Sequence, residues 1–169
     1  NRKALELVRL ALGRLDTAQA VHKQAYTCTQ AALIIGGGVA GMTAALSIGD
    51  SGYDVILVER NEYLGGNLQN LYYVAEGYNP RRLGRDLINR VRAHRHITTY
   101  IRTEVVQHTG HVGNFASILR TTRPDGEFET FQVNHGVTIV ATGGRETHDH
   151  PWLAHSKVLT QSELEEKII

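Results

Sequence analysis

The chain has 169 residues, of which 41% are hydrophobic and 21% charged, and its net charge is +1. That is the make-up of a soluble globular protein with one core, without the global positive charge that draws a protein to nucleic acid. A single cysteine, Cys28, excludes an internal disulfide framework and a cysteine-ligated metal or iron–sulfur site within these residues, and no apolar run reaches the roughly 20 residues of a membrane span. The N-terminus is charged and amphipathic, without the apolar region of a signal peptide, so a cytoplasmic protein is expected. Asn1 in place of Met is expected of a chain that starts inside a longer one.

Residues 2 to 25 read as a helix, because Leu5, Val8, Leu12 and Leu15 recur at helical spacing while Arg2, Lys3, Arg9 and Arg14 lie off that stripe. The stripe is expected to pack on the domain or on a partner. Residues 26 to 30 form a short linker, and Cys28 within it reads as structural. These first 30 residues are taken as one unit and residues 31–169 as a second, the nucleotide-binding domain.

Ala31 to Ile35 reads as a short buried strand, followed by Gly36, Gly37 and Gly38 and by a helix that Gly41 opens. Gly36, Gly38 and Gly41 stand at G-x-G-x-x-G spacing around Val39 and Ala40. The first glycine permits a tight turn, the second lets a pyrophosphate approach the backbone, and the third lets helix and strand pack closely. Free N–H groups at the helix start then face the phosphates. Glycine-rich turns are common, but here the motif follows a strand and opens a helix. Tyr53 to Glu59 reads as the next strand and ends in an acid. A carboxylate at that place accepts hydrogen bonds from both hydroxyls of an adenosine ribose and repels a 2′-phosphate.

Gly65 and Gly66 make a second flexible turn shortly after Glu59. Such a turn can bring backbone N–H groups and Arg60 to the far phosphate of a long dinucleotide, a contact FAD needs and NAD rarely uses. Asn79 and Pro80 then start a helix, as N-cap and first helical residue. Its Leu83, Leu87, Ile88 and Val91 are expected to face inward, and Arg81, Arg82, Arg85, Arg90, Arg92 and Arg95 to crowd the other side. That basic side reads as a solvated face, with an acidic partner as the alternative. His94 and His96 at the helix end suit free carbonyls better than a metal. His148 and His150 read as part of a charged loop, so no metal site is assigned.

Ile97 to Ile101 reads as a third strand, followed by Glu104 to Thr109, Phe115 to Thr121 and Phe128 to Val133, the last two joined by Arg123-Pro124-Asp125-Gly126. Short antiparallel strands after two parallel ones predict a meander, at about residues 103–134, laid across the sheet. Gly136 to Val140 returns as a core strand and ends in Ala141, Thr142, Gly143 and Gly144, small residues that let a ligand lie against the backbone. Thr160 to Glu163 is a capping box opening a short helix. The fold expected is α/β, a Rossmann-like parallel sheet with flanking helices and an antiparallel three-stranded insert.

The order GGGVAG, VILVER, LGGN, meander, TIVATGG resembles the FAD domain of the flavoproteins with two dinucleotide-binding domains. LGGNLQNLYYVAEG, RDLINRVRAH, TEVVQHTGHVGNF, the N-terminal KALELVRLAL and the tail VLTQSELEEKI are similar to the flavin-bearing subunit of heterodisulfide reductase and its relatives. The resemblance implies FAD as cofactor, its pyrophosphate at Gly36, Gly38 and Gly41, its adenosine ribose at Glu59 with Arg60 beside it, and its flavin side near Gly65, Gly66 and Asn67. It places the backbone of Val105 at the adenine and Ala141, Thr142 and Gly143 alongside the cofactor. It also implies iron–sulfur proteins as partner subunits that receive electrons from the flavin.

The family's cysteine clusters, its second nucleotide-binding domain and the later strand that completes the FAD domain do not occur here. The chain therefore reads as a fragment, inactive alone, whose open sheet edge would invite self-association into a homo-oligomer. No nucleophile with its base is visible, so no catalytic residue is named. Two other functions stay open. An NAD-dependent dehydrogenase domain shares the glycines and Glu59 but leaves Gly65-Gly66 and Ala141–Gly143 without a role. A docking module with a vestigial nucleotide fold would use the basic helix and the N-terminal helix on partner subunits.

Overall fold

A computed structural model describes residues 2–18, 27–74, 77, 79–144, 146–147 and 149–167. The elements run α1 (Arg2–Asp16), β1 (Ala31–Ile35), α2 (Val39–Asp50), β2 (Asp54–Val58), α3 (Pro80–Ala93), β3 (Ile97–Tyr100), β4 (Thr103–His111), β5 (Asn114–Thr122), β6 (Phe128–His135), β7 (Val137–Val140) and α4 (Gln161–Lys167). Two 3-10 turns, Gly66–Gln69 and Pro151–Ala154, interrupt the loops.

Four strands make a parallel sheet in the order β3-β2-β1-β7. Ile35 stands beside Val58 on one side and Val140 on the other, so the strands end level. Alternate side chains point to opposite faces. Ile34, Val55 and Leu57 point to one face and are covered by Met42, Ala45 and Leu46 of α2 and by Leu87 and Val91 of α3. Leu33 and Val58 point to the other and meet Leu119, with Val105, Phe131 and Val133 around them. Phe131 also tilts against Tyr100, ring centroids 5.0 Å apart. Each fully buried Leu, Ile or Met contributes about 1.5–3 kcal/mol through the apolar area it removes from water.

That second face belongs to β4, β5 and β6, a separate antiparallel sheet with a bulge between Val105 and Gln107. The meander lies across the parallel sheet as its short strands predict, but three parallel strands precede it rather than two, since β3 pairs with β2. The turn before β6 closes through the Gly126 N–H on the Arg123 carbonyl, 2.9 Å.

The helix ends follow local chemistry. Asn79 caps α3, its side-chain oxygen accepting the Arg82 N–H at 3.0 Å, with Pro80 in the first turn. The capping box of α4 is reciprocal: Glu163 accepts the Thr160 N–H at 2.8 Å, and Thr160 Oγ1 accepts the Glu163 N–H at 3.2 Å. Hydrogen bonds from Ser162 hold the Glu146 carboxyl below its ordinary range at the same helix start. Buried Glu165 ties α4 to the loop after the first 3-10 turn by accepting the Tyr72 N–H at 3.0 Å.

Three expectations need correction. α1 ends at Asp16, with Thr17 and Ala18 in a turn, and the rest of the stretch expected to be helical lies outside the described residues. Leu5, Val8, Leu12 and Leu15 are 56–69% exposed, because nothing among the described residues covers that stripe. In α3 the buried line is Pro80, Gly84, Leu87 and Val91, which rotates Leu83 out to 48% exposure. Gly84 faces Leu68, which packs on that side of the helix. Among the described residues, no helix is long and apolar enough to cross a membrane.

Candidate functional site

β1, β2 and β7 are parallel, so their C-terminal ends release three turns at one edge of the sheet. Backbone bonds stitch these turns together: Gly36 N–H to the Val58 carbonyl and Ala141 N–H to the Ile35 carbonyl, each 2.8 Å.

The first turn admits side chains at some positions and not at others. Gly36 has φ +113, and a Cβ there would lie 2.3 Å from the Ala141 carbonyl oxygen. A Cβ on Gly41 would lie 1.8 Å from the Gly36 oxygen. Gly38 is different, because no heavy atom comes within 4 Å of where its Cβ would be. Gly38 is extended and acts as N-cap of α2 without any side-chain cap, so the helix opens at Val39 rather than at Gly41. Its first turn is Val39, Ala40 and Gly41. The Met42 N–H is already taken by Gly38, but N–H groups ahead of it lack intrahelical partners, at the positive end of the helix dipole. Open space, free donors and exposed Val39 and Ala40 make a cradle for an anion.

Glu59 is 6% exposed and braces this turn. Its Oε2 accepts the Gly37 N–H at 2.7 Å and its Oε1 accepts the Asn61 N–H at 2.8 Å. Each carboxylate oxygen has a further lone pair for a ligand hydroxyl. The second glycine turn rests on the first. Gly65, at φ +117, donates its N–H to the Gly37 carbonyl at 2.8 Å, and a Cβ on Gly66 would come within 3.1 Å of the Gly38 Cα. Buried Leu64 fills the space beside Gly37.

Gly36, Glu59, Arg60, Val105 and Thr142 line one cleft of about 340 Å³, although they come from four separate stretches of chain. Arg60 also lines a neighbouring cleft of about 410 Å³ with Gly66. Asn67 and Gly143 are exposed and border neither, and Ala141 contributes its backbone beside Gly36. Sequence reasoning missed Asn61 and Thr103, which line the 340 Å³ cleft, and Gln69 in the second. Only the position of Asn61, two residues past the acid, could have signalled it.

The histidines lie elsewhere. His94 and His96 contact Asp50 and Asp54, at 3.2 and 2.9 Å, rather than free carbonyls. His148 lies outside the described residues. Among the described residues, no three His, Cys, Asp or Glu side chains gather as a metal would need. Cys28 is exposed at the opposite end of β1.

The meander holds a chain that sequence reasoning also missed. His108 Nδ1 lies 2.9 Å from Ser117 Oγ, Ser117 Oγ lies 2.9 Å from His135 Nε2, and His135 Nδ1 lies 3.1 Å from the Val137 carbonyl. A carbonyl only accepts, so His135 Nδ1 carries the hydrogen, Nε2 accepts from the Ser117 hydroxyl, and Ser117 accepts from His108. Burial pushes His135 below its ordinary 6.5.

A family model of FAD dependent oxidoreductases matches residues 32–157. The chain belongs to that family. A subunit of the ferredoxin:CoB-CoM heterodisulfide reductase of Methanosarcina acetivorans is 38% identical over 126 residues, covering 70% of this chain and 15% of that protein. An iron-sulfur subunit of the CoB–CoM heterodisulfide reductase of Methanopyrus kandleri is 36% identical over 115 residues, covering 67% of this chain and 17% of that protein. The chain thus spans 15–17% of the length of these two relatives. The crystal structure of L-proline dehydrogenase from P. horikoshii shares the fold, with a TM-score of 0.59 at 20% identity over 78% of this chain and 26% of that one.

The cofactor of an FAD dependent oxidoreductase is FAD, and the residues fit it. The turn is closed to side chains at Gly36 and Gly41 and open at Gly38, as a pyrophosphate against the backbone requires. Glu59 stands at the end of β2 with acceptor capacity to spare.

Proposed function

We propose that this chain is the FAD-binding part of an electron-transferring oxidoreductase of the heterodisulfide reductase kind, passing electrons between flavin and iron–sulfur partner subunits. The observation that carries this reading is the Gly65–Gly37 hydrogen bond, which seats the second glycine turn beside the pyrophosphate cradle. An NAD site rarely uses such a second turn. The relative from Methanopyrus kandleri is itself named an iron-sulfur subunit of a heterodisulfide reductase, which supports electron exchange between the flavin and iron–sulfur centres.

In this reading the pyrophosphate lies against the turn of Gly36, Gly38, Val39, Ala40 and Gly41 and is held by the free backbone N–H groups at the start of α2. Glu59 accepts the adenosine ribose hydroxyls and excludes a 2′-phosphate by charge. Val105 faces the adenine, and Arg60 bridges the two clefts. Gly65, Gly66 and Asn67 meet the flavin side, while Ala141, Thr142 and Gly143 let the cofactor lie against the end of β7. When bound, the flavin supplies one- and two-electron redox chemistry, and the protein supplies position and electrostatics.

Thermal unfolding with FAD and with NADH tests the choice. A ligand at 100 times its Kd that binds only the folded state adds about 2.7 kcal/mol of stability. FAD is expected to raise the melting temperature and NADH to leave it unchanged. A shift with NADH alone would overturn the reading.

A further inference from the structure

Arg81, Arg85 and Arg92 recur along α3 at spacings of four and seven, so they form one line on the helix surface with Arg82 beside it. All four are exposed. Three arginines elsewhere are matched within the chain: Arg102 pairs with Glu62, Arg120 with Glu104 and Arg123 with Glu129. On α3 only Arg90 reaches an acid, Asp50 at 4.0 Å, and the row itself meets no carboxylate among the described residues. Like charges one turn apart destabilise a helix, so the row carries a local cost that no carboxylate among the described residues offsets.

The row is also organised. The Arg81 guanidinium stacks on the Tyr72 ring, 3.8 Å from its centroid, and donates to the Tyr72 hydroxyl and, at 3.3 Å, to the Gln69 carbonyl. A guanidinium fixed in this way loses less freedom on meeting a carboxylate. Arg81 and Arg85 line a cleft of about 300 Å³ together with apolar Leu68 and Ile88 and with Gly65. A surface laid on the row therefore abuts the second glycine turn.

We propose that the arginine row of α3 docks an acidic protein surface, that of an electron-transfer partner, next to the flavin-side turn. The electron-transfer role rests on the FAD reading; the docking site does not. A patterned protein surface suits the row better than a polyanion. The chain's net charge of +1 gives no long-range pull, and Asp50 and Asp86 interrupt the basic surface.

The test is binding of the full chain to an acidic [2Fe–2S] ferredoxin, followed by surface plasmon resonance at about 20 and about 200 mM NaCl. Binding is expected at low salt and about tenfold weaker at high salt. Arg85→Glu with Arg92→Glu is expected to weaken it about tenfold, while Lys3→Glu with Arg9→Glu, the same charge change on α1, leaves it unaltered. The melting-temperature shift with FAD, unchanged in the α3 variant, shows that this variant is folded and keeps the two readings separate. No binding to ferredoxin, an equal loss in the α1 variant, or tighter binding of poly(U) RNA than of ferredoxin would overturn the proposal.

Discussion

The Glu59 carboxylate accepts the backbone N–H of Gly37 at 2.7 Å, so the acid at the end of β2 also shapes the turn it faces. Its other oxygen accepts the Asn61 N–H at 2.8 Å. Glu59→Gln puts an amide NH₂ against one of these two donors. The N–H left without a partner costs about 1–3 kcal/mol at the buried Gly37 and less at the part-buried Asn61. Urea unfolding is expected to show that loss, together with weaker FAD binding; full stability with weaker binding would mean that Glu59 serves the ligand alone.

Gly38 and Gly41 separate folding from binding. Gly41→Ala drives a Cβ to 1.8 Å from the Gly36 oxygen and is expected to destabilise the domain by about 3 kcal/mol. Gly38→Ala meets open space at φ −77, a conformation alanine adopts freely, so its melting temperature is expected to stay within a degree or two, roughly 0.5 kcal/mol, of the parent. In the proposed site its methyl group nevertheless stands where the pyrophosphate would approach, and FAD titration is expected to show about tenfold weaker binding or worse.

His135 gives the stability a pH dependence of known sign. Burial lowers its folded value below the ordinary 6.5, so between 6.5 and that lower value the unfolded chain binds more protons than the folded one. The contribution is present in full above pH 6.5 and is lost as pH falls toward the folded value. His135→Gln is expected to flatten the unfolding free energy measured across this window, whereas an unchanged slope would remove His135 as its source.

Asn79→Ala removes the acceptor for the Arg82 N–H and is expected to cost about 1 kcal/mol in urea unfolding. FAD binding is expected to be unaffected, because the cap lies outside both clefts of the candidate site.

Signals carried within a few residues were readable in advance. The Asn79–Pro80 start of α3 and the Thr160–Glu163 box place donor and acceptor within one turn, and the glycine spacing after β1 is equally local, so the residue types alone announce them. What depended on distant partners was not. Leu83 fits an inward helical pattern, but Gly84 packs on Leu68, and only the folded chain rotates α3 accordingly. The Gly65–Gly37 bond, the double use of Glu59 and the His108–Ser117–His135 chain join residues far apart in sequence. The stripe on α1 was equally clear as periodicity, yet periodicity does not say what, if anything, covers it.

The central claim is that these residues hold FAD. The direct measurement is an absorbance spectrum of the purified chain between about 300 and about 550 nm after incubation with FAD and desalting, alongside Gly38→Ala treated identically. Flavin bands retained by the parent and lost from the variant are the predicted result. A bare protein spectrum from the parent, or flavin retained equally by both, would contradict it.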